Sequence, residues 1–422
     1  MASAPGGPWM KLGWRNLGRN KRRTLITAVG LGWGYFAVVF MVGWAEGLQA
    51  EMVENGTGLI SGQIQIHSNE YRPERSLYHT IGGVEGTDVE ALLTAVLADR
   101  AVEAAAPRVY AGGLISSGAS TSAGMLLGID AELEPKVSRI LTGLTEGRIP
   151  ESGANELLLG VAMARQLEVS PGSEVVVVAP AADGSMGNDL FVVAGIFRSG
   201  LQDLDASHAL VPLDALQRLV ALEPSRIHEV AIATPDPWLA PEAAARLAQS
   251  LSAFGLALEV EPWTRLRPEM LDYIALLDSW YWIILIIVFV IALFGVANTM
   301  LMATFERRRE FAVMLALGTT PFQVVSTVVW EALALGILSL LAGALLTFPL
   351  MLWWSQAPPD LSFLYGEFTM FGALMRPVLR VEVEPAKSLW SAAALLATAL
   401  VAAIYPAAHA ARTPPADTLS GL

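Results

Sequence analysis

The sequence predicts a membrane protein of four transmembrane α-helices with a large α/β domain of two lobes outside the membrane, between spans one and two. Three observations predict it. Four segments are long and apolar enough to cross a bilayer core, which takes about 20 residues. Charged residues make up 16% of the chain against 54% hydrophobic, whereas a soluble domain carries about a quarter charged. The net charge of −13 is also divided along the chain. Before Thr24 stand Lys11, Arg15, Arg19, Lys21, Arg22 and Arg23 with no acid, whereas Glu46 to Ser279 holds 14 Lys/Arg against 32 Asp/Glu. A basic end and an acidic body on either side of an apolar run point to membrane topology. No basic stripe with interleaved aromatics appears, which sets nucleic acid aside.

Residues 1–23 form a cytoplasmic amphipathic lead-in, and 24–45 the first span, with no charge in its apolar run. A cleaved signal peptide is the competing reading of that run. Its length, its aromatics Trp33, Tyr35 and Trp44, and the lack of a clear A-x-A site favour a retained helix. The second span is 280–304, with the stretch IILIIVFVIALF, the third 324–354, and the fourth 388–410. Basic clusters set the orientation. RNKRR before the first span, Arg307–Arg309 between spans two and three, and Arg412 after the fourth all belong on the cytoplasmic side. The tail is 411–422, and a short aromatic outer loop, 355–387, is expected to pack on the large domain.

The domain itself, 46–279, alternates short apolar runs with Gly/Pro punctuation. Strands are expected at Gly62–His67, Ala123–Ile129, Glu174–Ala179, Leu190–Phe197 and His228–Ala233. Helices are expected at Asp88–Asp99, Val161–Leu167, Leu213–Ala221 and Pro241–Phe254. One lobe spans about 145–212, inserted into a second made of 46–144 and 213–279. The Gly/Ser stretch between Ser116 and Gly124 reads as a hairpin or loop.

The search for catalytic chemistry is negative. The lysines are Lys11, Lys21, Lys136 and Lys387, and none follows a glycine. A Walker A loop needs Gly-Lys before Ser or Thr to hold phosphates, so the chain is no P-loop ATPase. The five histidines have no metal-ligand spacing, cysteine is absent, and no G-x-S-x-G elbow occurs. The reading is therefore not an enzyme, with no catalytic, cofactor or metal residues.

The segment FERRREFAVMLALGTTPFQVV, Phe305–Val325, carries the most information. A charged turn leads into a short apolar-periodic run ending at Gly318, the pattern of an amphipathic helix over 305–323 with a glycine C-cap. Positive-inside topology alone would account for Arg307–Arg309. It leaves unexplained Glu306 and Glu310 at i and i+4, and the sharp stop between two spans. Glu331, ionisable inside an apolar span, should face protein or a cavity and pair with this helix.

The segment resembles the coupling helix of FtsX-like ABC permeases, in Glu306, Arg307, Arg308, Glu310 and Phe311 followed by Ala316, Leu317 and Gly318. Asn298 and Glu331 resemble that family's polar residues in spans two and three, and Pro406, Ala407, Ala410, Ala411 and Pro415 its ending. The lead-in WRNLGRNKRRTLIT, ELLLGVAMARQLEVSPGSEV and FVVAGIFRSGLQDLDASHALVPLDAL are similar as well, so the resemblance covers most of the chain. Four spans, a domain of this size and no fused ATPase most resemble the lipoprotein-releasing, Lol-type permeases. The resemblance implies a MacB/FtsX-like periplasmic core domain and a bacterial inner-membrane location. It also implies a separate ABC ATPase dimer that binds ATP and Mg, and a second permease subunit, homo- or heteromeric. Transport would be by mechanotransmission, in the manner called type VII, with lipoprotein or a lipid-like amphiphile as cargo and room for a periplasmic partner. Two alternatives stay open: a regulatory scaffold that moves an extracytoplasmic hydrolase without transport, and a membrane-anchored binding module without an ATPase.

Overall fold

The computed structural model describes residues 15, 18, 21–72, 76–83, 88–252, 257–364, 366, 368–370, 373–415 and 418. Most of the expected amphipathic lead-in, 1–23, lies outside the described residues. The chain divides into two compact units. The first comprises Met1–Gln49, Ile274–Leu364 and Val378–Leu422; the second Ala50–Tyr273 and Tyr365–Pro377.

Among the described residues, four helices are long and apolar enough to cross a membrane: α1 (Lys21–Gly58), α2 (Pro268–Glu306), α4 (Pro321–Gln356) and α5 (Pro385–Ala411). Between α2 and α4 lies the nine-residue α3 (Arg308–Ala316). Each span contains an expected apolar run, but α1 and α2 are 38 and 39 residues long. At 1.5 Å per residue that is about 57 and 58 Å, nearly twice a hydrocarbon core.

Within the first unit, small residues let backbones approach, because helices in lipid gain nothing from apolar burial and rely on close packing. A Cβ on Gly32 of α1 would stand 2.8 Å from the Ser339 carbonyl oxygen of α4, and one on Gly343 2.6 Å from that of Gly32. Gly336 likewise faces Ala399 of α5. One buried cluster holds Leu31, Val296, Met300, Phe311, Val328 and Ala403, and a second Tyr35, Val42, Phe289, Met351 and Leu395. Near the start of α5, Lys387 Nζ donates to Glu46 of α1 and to Asp278 of α2.

The second unit is built on a ten-stranded sheet. Its strands are β1 (Ile64–Ser68), β2 (Ala104–Ser116), β3 (Thr121–Ile129), β4 (Leu144–Gly147), β5 (Glu156–Gly160), β6 (Glu174–Pro180), β7 (Met186–Phe197), β8 (His208–Pro212), β9 (Glu229–Ala233) and β10 (Leu258–Pro262). Their order is β10-β1-β9-β2-β3-β8-β5-β7-β4, with β6 bridging β2 and β7. The β3–β8 and β5–β7 pairs are parallel. The stretch from β4 to β8 supplies one end and the flanking β1, β2, β3, β9 and β10 the other, so both parts share one hydrogen-bonded sheet. Amphipathic helices cover it: Val161–Leu167 buries Met163 and Leu167, and Ala240–Leu251 buries Ala244, Leu247 and Leu251.

Inside the sheet, buried Arg108 on β2 is clamped by acids. Nε and Nη2 donate to Glu134 at 3.1 and 2.6 Å, and Nη1 to Glu229 at 3.2 Å. Burial alone pulls the guanidinium down, and the charges of Glu134, Tyr110 and Glu229 outweigh it, holding Arg108 above its ordinary value. His228 beside it accepts from the Tyr110 N–H through Nδ1 and bonds the Leu77 carbonyl through Nε2, each at 3.0 Å. That pattern defines a neutral ring, and burial pushes its pKa below the usual 6.5, the Leu77 bond opposing.

The outer loop contributes a hairpin, β11 (Phe368–Met370) and β12 (Ala373–Met375), to this unit. Asn55 Nδ2 donates to the Leu374 carbonyl at 2.7 Å, and Glu51 accepts from the Arg376 N–H at 3.1 Å.

Candidate coupling site

α2 ends at Glu306 because Arg307 leaves helical geometry, at φ −102° and ψ 10°. α3 then restarts the chain for nine residues and stops at Gly318, whose φ is +94°. The stop is a Schellman arrangement: the Gly318 N–H donates to the Leu315 carbonyl at 3.1 Å and the Thr319 N–H to Met314 at 3.0 Å. Two residues later α4 begins with a capping box, Thr320 and Gln323 satisfying each other's backbone N–H, and Pro321 in its first turn. The segment is thus defined at both ends by local chemistry, which separates it from the spans as a body with its own faces.

The inner face is held from within. Arg307 Nη1 donates to Glu331 of α4 at 2.8 Å and Nε to Glu310 at 3.1 Å. Its guanidinium lies 5.1 Å from the ring centre of Phe311, a cation–π contact. Phe311 and Ala312 are buried, and Met314 and Leu315 pack against the same cluster. Glu331 is 7% exposed, so the carboxylate inside an apolar helix has a cation at hydrogen-bond distance. At the break, Glu306 accepts from Arg23 of α1 at 2.8 Å, and the Phe305 ring meets His409 of α5 edge-on at 4.9 Å. One short segment therefore touches α1, α4 and α5.

The outer face is left open. Arg308 and Arg309 are exposed, Val313 lies one turn on, and Leu317 and Phe322 are 82% and 80% exposed. Two exposed cations and two large exposed apolar side chains within one short stretch of chain are residue types suited to contact with another protein.

The residues singled out from sequence accordingly divide into two groups. Arg307, Glu310, Phe311 and Glu331 converge inside, with Glu306 tied to α1. Arg308, Leu317 and Gly318 lie on the open side. Asn298 joins neither: it lies on the exposed face of α2 beside Phe294 and Met302. Sequence reasoning gave Arg23 and Arg309 only a part in topology, and passed over Phe322 and the Lys387 contact with Glu46 and Asp278. The signal for Arg309 and Phe322 was present in helical spacing, since three consecutive arginines cannot share one helix face.

Residues 24–250 match the family model described as a MacB-like periplasmic core domain, and 282–415 that of an FtsX-like permease C-terminal region. The chain is 24% identical over 428 residues to the lipoprotein-releasing system transmembrane protein LolC of Neisseria meningitidis serogroup B, covering 97% of this chain and 98% of that one. It is 25% identical over 332 residues to LolE of Haemophilus influenzae, covering 76% and 77% respectively. The solved periplasmic region of MacB from Actinobacillus actinomycetemcomitans aligns at 14% identity and a TM-score of 0.36, over 52% of this chain and 97% of that one.

Proposed function

The chain belongs to the family of permeases that join a MacB-like periplasmic core domain to an FtsX-like permease region, and from that premise we propose that it is the permease subunit of a lipoprotein-releasing ABC transporter. In this reading it sits in the bacterial inner membrane with both termini cytoplasmic and residues 46–279 periplasmic. A separate pair of ATPase subunits binds ATP and Mg and grips α3. The observation that carries the reading is the two-sidedness of that segment. Its open side offers Arg308, Arg309 and Leu317 to a partner, with Phe322 of α4 exposed after the turn, and its inner face is bonded through Arg307 to Glu331.

A mechanism follows from the bonding. ATP-driven closure displaces α3, and Arg307 passes the displacement to α4. Through the Glu306–Arg23 pair it reaches α1 and α2 together. Their helices continue unbroken to Gly58 and from Pro268, which makes them stiff rods for mechanotransmission. A second permease subunit, identical or related, would cover the exposed amide of Asn298, because a polar group facing only lipid lacks a hydrogen-bond partner. The resulting motion drives extraction of lipoprotein, or another amphiphile, from the outer leaflet.

The test is native purification of the tagged chain, with mass spectrometry of what accompanies it and release assays in proteoliposomes. Co-purification of an ABC ATPase and ATP-dependent release of lipoprotein support the proposal. A chain that brings down no ATPase overturns it, and a complex that hydrolyses ATP while activating a cell-wall hydrolase, without release, replaces it with the scaffold reading.

A further inference from the structure

We infer that the second unit carries a binding site for an anionic amphiphile, a phosphate-type headgroup followed by a short length of alkyl chain. The site is a cleft of about 200 Å³, too small for a whole lipid and large enough for a headgroup with its first methylenes. It is distinct from the coupling segment and does not depend on which cargo the transporter moves.

Charge selects the ligand class. From Glu46 to Ser279 acids outnumber bases by 32 to 14, yet the cleft lining contains Arg72 and Arg267 and no acid. An acidic surface repels anions in general, so a lining with two guanidiniums, each beside its own carboxylate, repels them less than its surroundings do. One of the five N–H groups of Arg72 bonds Glu261 Oε2 at 3.1 Å, which fixes the fork, and Arg267 lies 3.7 Å from Glu269. A planar guanidinium held in this way suits two-pronged recognition of phosphate. His208 and Tyr110 stand on the same lining, the Tyr110 hydroxyl donating to Glu229 at 3.1 Å.

The apolar part has its own walls. Ile60, Leu204 and Leu266 are its apolar side chains, with Ser61 and Gln65 completing the lining, and Leu204 belongs to the buried cluster of Leu127, Phe197 and Leu210. Free phosphate would leave these walls unused. An alkyl phosphate uses both, because each methylene buried against these walls leaves water. Placement along the chain adds weight, since Ile60 stands two residues after the end of α1 and Arg267 immediately precedes α2. A ligand that contacts both residues therefore touches both strands of chain leading to the spans.

The experiment is calorimetric titration of the full-length chain, in nanodiscs of zwitterionic lipid, with hexyl phosphate, inorganic phosphate and hexanol. Saturable binding of hexyl phosphate is expected, with inorganic phosphate and hexanol each at least tenfold weaker. Arg72→Gln and Arg267→Gln should each weaken hexyl phosphate tenfold or more. Arg72→Lys, which keeps the charge and can still reach Glu261, should lose less, separating loss of the site from loss of fold. Leu266→Ser should weaken hexyl phosphate and leave inorganic phosphate unchanged. The inference is overturned if hexyl phosphate gives only partitioning heat that neither arginine variant alters. Inorganic phosphate binding as tightly as hexyl phosphate would also overturn it, since the site would then be one for free anion.

Discussion

Replacing Arg307 by Gln separates the inner framework of the coupling segment from its open face. The guanidinium donates to Glu331 at 2.8 Å and to Glu310 at 3.1 Å and lies over Phe311. Removing one partner of a buried ion pair costs about 3–5 kcal/mol, because the other charge is left without compensation. Here the Arg307 and Glu331 side chains are 16% and 9% exposed, so the lower end applies, about 3 kcal/mol. A factor of ten per 1.4 kcal/mol makes this roughly a 150-fold faster amide exchange where local opening governs the rate. Exchange mass spectrometry should show it in peptides covering 308–316 and 324–335. Arg308→Gln with Arg309→Gln is the control, because exposed substitutions change stability by about 0.5 kcal/mol or less. That pair should leave exchange nearly unchanged and weaken capture of the ATPase subunit. The reasoning fails if Arg307→Gln exchanges within threefold of the native chain, or if the control pair loosens the segment as much.

Three further outcomes follow. Arg108→Met strands the buried carboxylates of Glu134 and Glu229, so exchange in β2 and β9 should quicken by two or more orders of magnitude; adding Glu134→Gln and Glu229→Gln should recover much of it. For His228 the folded pKa is depressed, so the unfolded chain binds more protons as pH falls from about 6.5 toward the folded value. Stability contributed above that window is lost on acidification, at no more than about 1.4 kcal/mol per pH unit, and His228→Asn, which can still accept from the Tyr110 N–H, should flatten the pH dependence of thermal unfolding. Gly318→Ala meets no atom within 4 Å, so its cost is the positive φ alone, about 1 kcal/mol, seen as faster exchange at 314–319.

The spans were legible in sequence because four runs of apolar residues have few other uses, and α3 because its glycine stop is a local signal. Strand β6, VVVV flanked by Glu and Ala-Pro, was legible for the same reason. Strand β2 was not: AAAPRVYAGGLIS has no alternation, since its first six residues are buried on both faces, and Pro107, Gly112 and Gly113 read as punctuation. That α1 and α2 run on past the expected spans was not legible, because helix continues through polar residues that no hydropathy window includes. In the coupling segment, residue types were visible but their division was not. Whether an arginine points at Glu331 or away from it depends on the break at Arg307, a backbone feature set by three-dimensional packing.

The central claim is that the open face of α3 is the docking surface of an ATPase. The chain has no cysteine, so Leu317→Cys and, as a control on the exposed side of α4, Leu345→Cys each supply a unique thiol. With a bifunctional maleimide on the natively purified complex, the account predicts a cross-link from Leu317→Cys to the ATPase subunit and none from Leu345→Cys. Equal cross-linking from both positions, or none from Leu317→Cys in a complex that still contains the ATPase, would contradict it.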